Sequence, residues 1–205
     1  MWFDTVINLA KAVGTIAVAI AAIWGDRLRE WLNPLKARTE VHNVRGKKEF
    51  APPEGGTLIF YHLKVVNGTH WRALQNCRVL LTEIQRKHPD GSFHIDPFPV
   101  PRQFFWAPSE LSPAAASFTK ERIFDFGVLR FSDATFRPTL LPQGGELHAN
   151  VAAGEAVRYR LKIVADNFDQ PGGQLFEVAF DGKCSEDLDQ MSRSLVIREV
   201  RTDAV

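Results

Sequence analysis

Apolar and polar residues alternate with a period of two through most of the chain after Pro34. In the segment TLIFYHLKVVN, the alternation places four apolar side chains on one face, namely Ile59, Tyr61, Leu63 and Val65. Residues that alternate in this way line opposite faces of a β-strand. Further runs of the same pattern are ARTEVHNV, NCRVLLTEIQR, SFHI, ERIFDFGVLRF, AVRYRLKIVAD, QLFEVAF and SLVIREV. Short strands at this spacing, separated by turn residues such as Asn67-Gly68, predict an all-β antiparallel sandwich of two sheets.

A single short helix is predicted within this region. Ser185 precedes the segment EDLDQM, and a serine in this position can cap a helix by accepting a hydrogen bond from a backbone N–H of the first turn. Glu186 and Asp187 would then lie near the positive N-terminal end of the helix dipole. A capped first turn accounts for the acidic cluster of Glu186, Asp187 and Asp189 without a metal ion.

Two parts of the chain resemble bacterial immunoglobulin-like modules of the adhesion type. In YHLKVVNGTHWRALQNCRVLL, a strand ending in V-x-N leads into an Asn-bearing turn and a second strand, while AGEAVRYRLKIVADN and FEVAFDGK resemble the closing strands of such modules. The likeness covers residues 58–81 and 153–200. It implies an immunoglobulin-like β-sandwich in residues 34–205 and no catalytic residues. The whole chain also resembles bacterial single-pass membrane proteins that carry such a domain.

Residues 1–33 form a separate segment, which we predict to contain one transmembrane helix. From Thr5 to Trp24 the chain has twenty residues, of which Lys11 is the only charged one. At a rise of about 1.5 Å per residue, such a helix is about 30 Å long, which matches the hydrocarbon thickness of a bilayer. The fully uncharged run, from Ala12 to Trp24, has only thirteen residues. The length is therefore just sufficient for a span.

Four residues are the predicted membrane anchors of this helix. Trp2 stands at one end of the apolar run, and Trp24 and Trp31 stand at or beyond the other end. Aromatic rings favour the two headgroup layers of a bilayer. Lys11 lies close enough to the N-terminal end for its long side chain to extend toward the interface.

The same residues also permit a helix that lies flat on the membrane or on the protein surface. Asp4, Asn8, Lys11 and Thr15 recur at offsets of four, three and four, so they share one face of a helix. An amphipathic helix of this kind lies in the membrane interface rather than across it. Both arrangements stay open at this stage, although the span is the prediction that we adopt.

A stripe of small residues predicts self-association of the N-terminal helix. The stripe consists of Ala10, Gly14, Ala17, Ala21 and Gly25. Small residues at this spacing let two transmembrane backbones approach closely, and the chain could therefore form a homo-oligomer. Alanine is also common in such segments by composition alone, which is the alternative explanation.

The charges next to the predicted helix indicate its orientation. Four basic residues, Arg27, Arg29, Lys36 and Arg38, follow the apolar run, and an excess of Lys and Arg stays on the cytoplasmic side. We therefore predict a protein of the bacterial inner membrane whose C-terminal domain lies in the cytoplasm. The two cysteines, Cys77 and Cys184, form no motif and fit a reducing compartment.

The sequence offers little support for catalysis or for nucleic-acid binding. The chain has 25 basic and 24 acidic residues, which give a formal net charge of +1, whereas nucleic-acid-binding domains are usually strongly basic. It contains no GxSxG, GxxxxGK or GxGxxG motif, and its six histidines form no HxH or HExxH pair. We predict no cofactor, no metal site and no nucleic-acid partner.

The segment DPFPVPRQFFWAP carries more aromatic surface than a solvated loop needs. Its four prolines should prevent regular strand pairing. Phe98, Phe104, Phe105 and Trp106 then either fold over an open end of the sandwich and complete its core, or present a partner surface. We expect Trp106 to be at least half buried and Phe105 to be the more exposed of the two.

Together these patterns predict a membrane-anchored cytoplasmic module that binds a protein partner or another ligand and does not catalyse a reaction. Two other classes of function stay open. One is an oligomerising membrane effector that acts on the bilayer through its N-terminal helix, for example in bacterial defence. The other is an enzyme whose site no motif reveals.

Overall fold

The computed structural model describes residues 5–7, 11, 13–16, 18, 24–25, 32–51, 56–97, 101–108, 114–141 and 149–200. The chain divides into two compact units, Met1–Lys36 and Ala37–Val205. In the first unit, the described residues up to Leu32 are helical. Among the residues described, no helix combines the length and the apolar character that crossing a membrane requires. Much of the predicted span lies outside the described residues, as do the predicted anchors Trp2 and Trp31 beyond its ends.

The second unit consists of fourteen described strands and one short helix. The strands are β1 (Ala37–Val41), β2 (Lys47–Ala51), β3 (Gly56–Asn67), β4 (Leu74–Lys87), β5 (Phe93–Asp96), β6 (Arg102–Trp106), β7 (Ala116–Phe118), β8 (Glu121–Arg130), β9 (Thr135–Pro138), β10 (Leu140–Leu141), β11 (Ala156–Ala165), β12 (Phe168–Asp169), β13 (Gln174–Phe180) and β14 (Leu195–Val200), and the helix is α1 (Leu188–Ser194). The prediction of a mainly antiparallel β fold is confirmed, because every described strand pair is antiparallel.

Strand β6 links two groups of strands into one nearly closed sheet. The strand order is β1-β3-β8-β6-β4-β11-β13-β14. Trp106 of β6 pairs with Phe124 of β8, while Gln103 of the same strand pairs with Leu80 of β4. Arg102 and Gln103 thus pair with β4, and Phe105 and Trp106 pair with β8, so this one strand belongs to both groups. Strands β1 and β2 both pair with the same edge of β3. Strand β2 pairs with the first half of β3, and β1 pairs with its second half.

A side chain of β13, the strand before the last in this order, reaches β1 at the other end of the order. The backbone N–H of Thr39 in β1 donates to Oε1 of Gln174 in β13 over 2.6 Å, and Nε2 of Gln174 donates to the Thr39 carbonyl over 3.1 Å. The Gln174 amide thus takes the place of a strand partner for one residue of β1. Buried backbone groups need such partners, since an unpaired group costs about as much as a lost hydrogen bond.

The core contains the residues that the alternation predicts. In β3, β4 and β11 the predicted inward-facing side chains are all buried: Ile59, Tyr61, Leu63, Val65, Cys77, Val79, Leu81, Val157, Tyr159, Leu161 and Ile163. Several aromatic rings pack against one another in their midst, with Phe126 in contact with the rings of Phe104, Phe136 and Tyr159. Aromatic side chains of this size bury about 150–250 Å² each, and they dominate the energetics of such a core. Cys77 and Cys184 are not bonded to each other, and burial raises the pKa of the Cys77 thiol to about 12.

The expectation that prolines prevent pairing in the segment DPFPVPRQFFWAP was wrong. Arg102–Trp106 forms β6, which pairs with three other strands. Pro101 precedes this strand and Pro108 follows it, so neither ring removes a hydrogen bond from the strand itself. Prolines that flank a strand limit its length, whereas prolines within it would break its pairing.

The helix cap was also assigned to the wrong residue. Helix α1 begins at Leu188, and its N-cap is Asp187, whose Oδ1 accepts hydrogen bonds from the backbone of Asp189 and Gln190. Ser185 lies before the cap, where its Oγ accepts from the Asp187 N–H over 3.2 Å. Aspartate and serine are about equally good caps, so the sequence alone could not separate the two positions.

Candidate functional site

A β-bulge between β3 and β8 brings two titratable side chains together. Tyr61 pairs with Gly127, but the next residue, His62, pairs with Asp125, so the register shifts at this point. The extra residue is Phe126, which belongs to the core. Bulges of this kind change the direction of a side chain and are frequent beside functional sites. The shift allows His62 and Asp125 to lie next to each other.

His62 and Asp125 form a close pair with little exposure to water. The Nε2 of His62 lies 3.2 Å from Oδ1 of Asp125, and the two side chains are only 16% and 9% exposed. A buried carboxylate needs a hydrogen-bonding partner, because burial without one is costly. The imidazole of His62 lies within ion-pair distance of the Asp125 carboxylate, so the two side chains face each other at the bulge.

The pair lies in a cleft of about 820 Å³. Phe60 and Ile123 lie beside the pair on β3 and β8, Lys47, Lys48 and Glu49 line the cleft from β2, and Ala107 and Pro108 line it from the segment that follows β6. Sites for small organic molecules usually have volumes of about 300–1,000 Å³ and combine apolar walls with a few polar groups. The cleft has both properties.

The turn between β1 and β2 forms a well-defined wall of the cleft. Within it, Nδ2 of Asn43 donates to the Gly46 carbonyl over 2.9 Å, and Oδ1 of Asn43 accepts from the Arg45 N–H over 3.0 Å. Gly46 has a φ of +72°, and a Cβ at this position would lie 2.4 Å from Cγ2 of Ile59. Only glycine fits here. The His42 N–H then donates to the His62 carbonyl over 3.1 Å, which ties the turn to β3.

The charged side chains of the cleft are present in equal numbers of each sign. Lys47 pairs with Glu49 over 2.8 Å, and Lys48 pairs with Glu186 over 2.9 Å. The hydrogen bond and the charge of Glu49 raise the pKa of Lys47, and the charge of Asp125 adds to this effect. The charged lining residues are thus two basic ones, Lys47 and Lys48, and two acidic ones, Glu49 and Asp125.

The predicted partner residues do not form one surface in the part of the chain described here. Phe104 and Trp106 are each only 1% exposed and belong to the core. The rings of Phe104 and Phe124 are 5.5 Å apart, and Trp106 contacts Phe124 edge-on at 6.1 Å. Phe105 is partly exposed, so the expected difference in exposure between Trp106 and Phe105 is confirmed. Phe98 lies outside the described residues.

The residues proposed for membrane contact are described only in part. Lys11, Trp24 and Gly14 are exposed, and Gly25 is intermediate. The remaining ones, Trp2, Trp31, Ala10, Ala17 and Ala21, lie outside the described residues. The anchoring and self-association assignments therefore stay predictions.

Sequence reasoning did not identify the cleft. His62 was considered only for local metal-binding motifs, and Asp125 was not considered at all. A usable signal was present, since the alternation places His62 on the face opposite to Tyr61 and Leu63, and Asp125 stands between two phenylalanines in ERIFDFGVLRF. The pairing itself depends on the register of β3 and β8, which no local pattern determines.

In the described part of the chain, no three side chains of histidine, cysteine, aspartate or glutamate are grouped so that they could hold a metal ion. No protein-family model, no curated protein and no solved structure matches the chain. The arrangement of the cleft is therefore the basis for a functional assignment.

Proposed function

We propose that this protein is a membrane-anchored, non-catalytic binding module whose β domain lies in the cytoplasm and uses the cleft at His62 and Asp125. The observation that carries the proposal is the cleft itself, which combines a fixed polar pair, apolar neighbours and a rigid wall. A volume of about 820 Å³ suits a small organic ligand or a short segment of a partner.

The chemistry of the lining supports binding rather than nucleophilic catalysis. Among the described lining residues there is no serine, threonine or cysteine beside His62 that the imidazole could activate. Lys47 is held in its charged form, because Glu49 raises its pKa. A protonated amine is not a nucleophile.

Exposed apolar side chains support the membrane part of the proposal. In the N-terminal unit, Val13 and Ile16 are each 59% exposed, Val18 is 69% exposed and Trp24 is 57% exposed. A large exposed apolar patch usually marks contact with a membrane or a partner, and contact with a membrane is the role that we propose for these side chains. The basic residues that follow, such as Arg27 and Arg29, favour the cytoplasmic face of the bacterial inner membrane for the second unit.

We also propose that the β domain is an immunoglobulin-like sandwich. The strand order supports this, because β1-β3-β8-β6 and β4-β11-β13 follow the order of the A-B-E-D and C-F-G sheets of that fold. The hydroxyl of Tyr159 in β11 donates to the carbonyl of Ala149, which lies upstream in the chain. This bond is similar to the tyrosine corner at the start of strand F in such domains.

A screen of small molecules on the full-length protein tests the proposed function. We expect ligands of the cleft to raise the Tm of the wild-type protein, because binding to the folded state stabilises it by mass action. The same compounds should raise the Tm of the His62→Ala variant much less. Asp169→Asn, a change at an exposed ion pair with Lys162, is the control and should behave like wild type. Compounds that stabilise all three proteins equally, or a screen that yields none, would contradict the proposal.

A further inference from the structure

We infer that the cleft binds an uncharged, hydroxyl-rich ligand of the saccharide class. The inference rests on the proposed function, because it concerns the same cleft. It follows from three properties of the described lining: its unused hydrogen-bonding capacity, its balance of charge and its apolar contacts.

The polar pair has unused acceptors. The contact between Nε2 of His62 and Oδ1 of Asp125 uses one ring nitrogen and one carboxylate oxygen. Among the described residues, nothing else hydrogen-bonds to either side chain. A carboxylate oxygen and an imidazole nitrogen that carries no proton are both hydrogen-bond acceptors. A ligand that donates hydrogen bonds, as hydroxyl groups do, suits these acceptors.

The charges of the lining disfavour an ionic ligand of either sign. A cationic ligand at Asp125 would also meet Lys47, which is close enough for the Asp125 charge to raise its pKa. An anionic ligand near Lys47 or Lys48 would meet Asp125 and Glu49. Like charges repel each other. A neutral ligand avoids both costs.

Apolar groups beside the pair provide the remaining contact surface. Phe60 and Ile123 are only partly buried, and both line the cleft on the strands that carry His62 and Asp125. Phe60 stands two residues before His62 on β3, so at a rise of about 3.3 Å per residue an aromatic side chain and the polar pair lie within reach of one ring-shaped ligand. A sugar ring matches this arrangement, since it has C–H groups on its faces and hydroxyl groups around its edge.

Calorimetric titration of the full-length protein with matched saccharides tests the inference. The protein is kept in a detergent without a sugar headgroup, so that the detergent does not occupy the cleft. The neutral probes are the trisaccharides of glucose, galactose, mannose and N-acetylglucosamine. There are two charged probes. The glucosamine trisaccharide is the cationic counterpart of the N-acetylglucosamine trisaccharide, and the galacturonate trisaccharide is the anionic counterpart of the galactose trisaccharide.

We expect at least one neutral trisaccharide to bind and both charged trisaccharides to bind at least about tenfold more weakly. Asp125→Asn and Phe60→Ala should each weaken binding about tenfold or more, because they remove a charged acceptor and the ring contact. Asp169→Asn is the control and should leave the affinity unchanged. Where Asp125→Asn does not fold, as judged by circular dichroism, His62→Gln takes its place.

Equal or tighter binding of the charged probes would overturn the inference, as would binding that none of the cleft variants weakens. Failure of all neutral saccharides at millimolar concentration would also overturn it. The proposed function would survive that result if the small-molecule screen still yields ligands of other chemistry that depend on His62. If neither experiment detects a cleft ligand, both proposals are wrong.

Discussion

The side-chain amide of Gln174 hydrogen-bonds to both backbone polar groups of Thr39. Its Oε1 accepts from the Thr39 N–H, and its Nε2 donates to the Thr39 carbonyl. The amide is held in place by Gln170, whose Nε2 donates to Oε1 of Gln174 over 3.1 Å. Because Thr39 is fully buried, no water replaces these bonds without rearrangement.

We expect Gln174→Ala to lower the free energy of unfolding by about 1–3 kcal/mol, the usual cost of leaving buried polar groups unpaired. Denaturation by urea, followed by tryptophan fluorescence, measures the change. Gln190→Ala, at an exposed position of α1, should cost much less. Equal effects of the two substitutions would show that the contact with Thr39 does not stabilise the fold.

Trp106→Ala should lower stability by about 3–5 kcal/mol, because it removes a large aromatic side chain from the core. Trp106 is 1% exposed and contacts the rings of Phe118 and Phe124. Phe105→Ala, on the neighbouring and partly exposed residue, should have a smaller effect. Thermal melts of both variants beside the wild type measure the difference. A Trp106→Ala protein as stable as wild type would contradict the burial of this ring.

The lowered pKa of Glu177 predicts how the stability of the fold depends on pH. Burial alone would raise the pKa of this carboxyl, but hydrogen bonds from Arg158 and Arg198 and the charges of these residues outweigh it and hold the pKa below its ordinary value of 4.5. A carboxyl whose pKa is lower in the folded state stabilises that state above its ordinary pKa. The contribution is then lost as the pH falls through the folded-state pKa.

We therefore expect Glu177→Gln to be destabilising at pH 7 by about 1–3 kcal/mol, the range for a buried bond to a charged group. The difference from wild type should shrink as the pH falls below about 4. Urea denaturation at a series of pH values measures both. Glu121→Gln, at a more exposed ion pair with Lys64, should have little effect at pH 7. A difference that does not depend on pH would be inconsistent with an ionised Glu177.

The predicted orientation is tested by reporters fused after Val205. A reporter that is active only in the cytoplasm should be active, because Arg27, Arg29, Lys36 and Arg38 favour the cytoplasmic side. A reporter that requires the periplasm should be inactive. Replacing the four basic residues by glutamine should weaken this preference. Activity of the periplasmic fusion in the unmodified protein would reverse the proposed orientation.

The regular strands could be predicted from the sequence, because their pattern is local. The alternation of Ile59, Tyr61 and Leu63 identifies the buried face of β3, and the neighbouring strands need not be known. Strand β6 was missed for the opposite reason, since its prolines suggested a loop and only the paired strands β4 and β8 make it part of the sheet.

The cleft could not be predicted, because it depends on long-range register. His62 and Asp125 meet only where a bulge shifts the pairing of β3 and β8 by one residue. A one-residue shift exchanges the faces on which side chains lie. No local pattern in the sequence indicates where such a shift occurs. Gln174 is a similar case, since an isolated glutamine at the start of a strand does not reveal that it bonds to Thr39.

The position of β6 has a consequence for how the domain unfolds. A strand that pairs with both β4 and β8 cannot leave one group of strands without exposing the edge of the other. Local opening of either group is thereby coupled to loss of the whole sheet, and the amide protons of Phe104, Phe105 and Trp106 should exchange with solvent as slowly as the slowest in the molecule. The two groups of strands then behave as a single cooperative unit rather than as two parts that open independently.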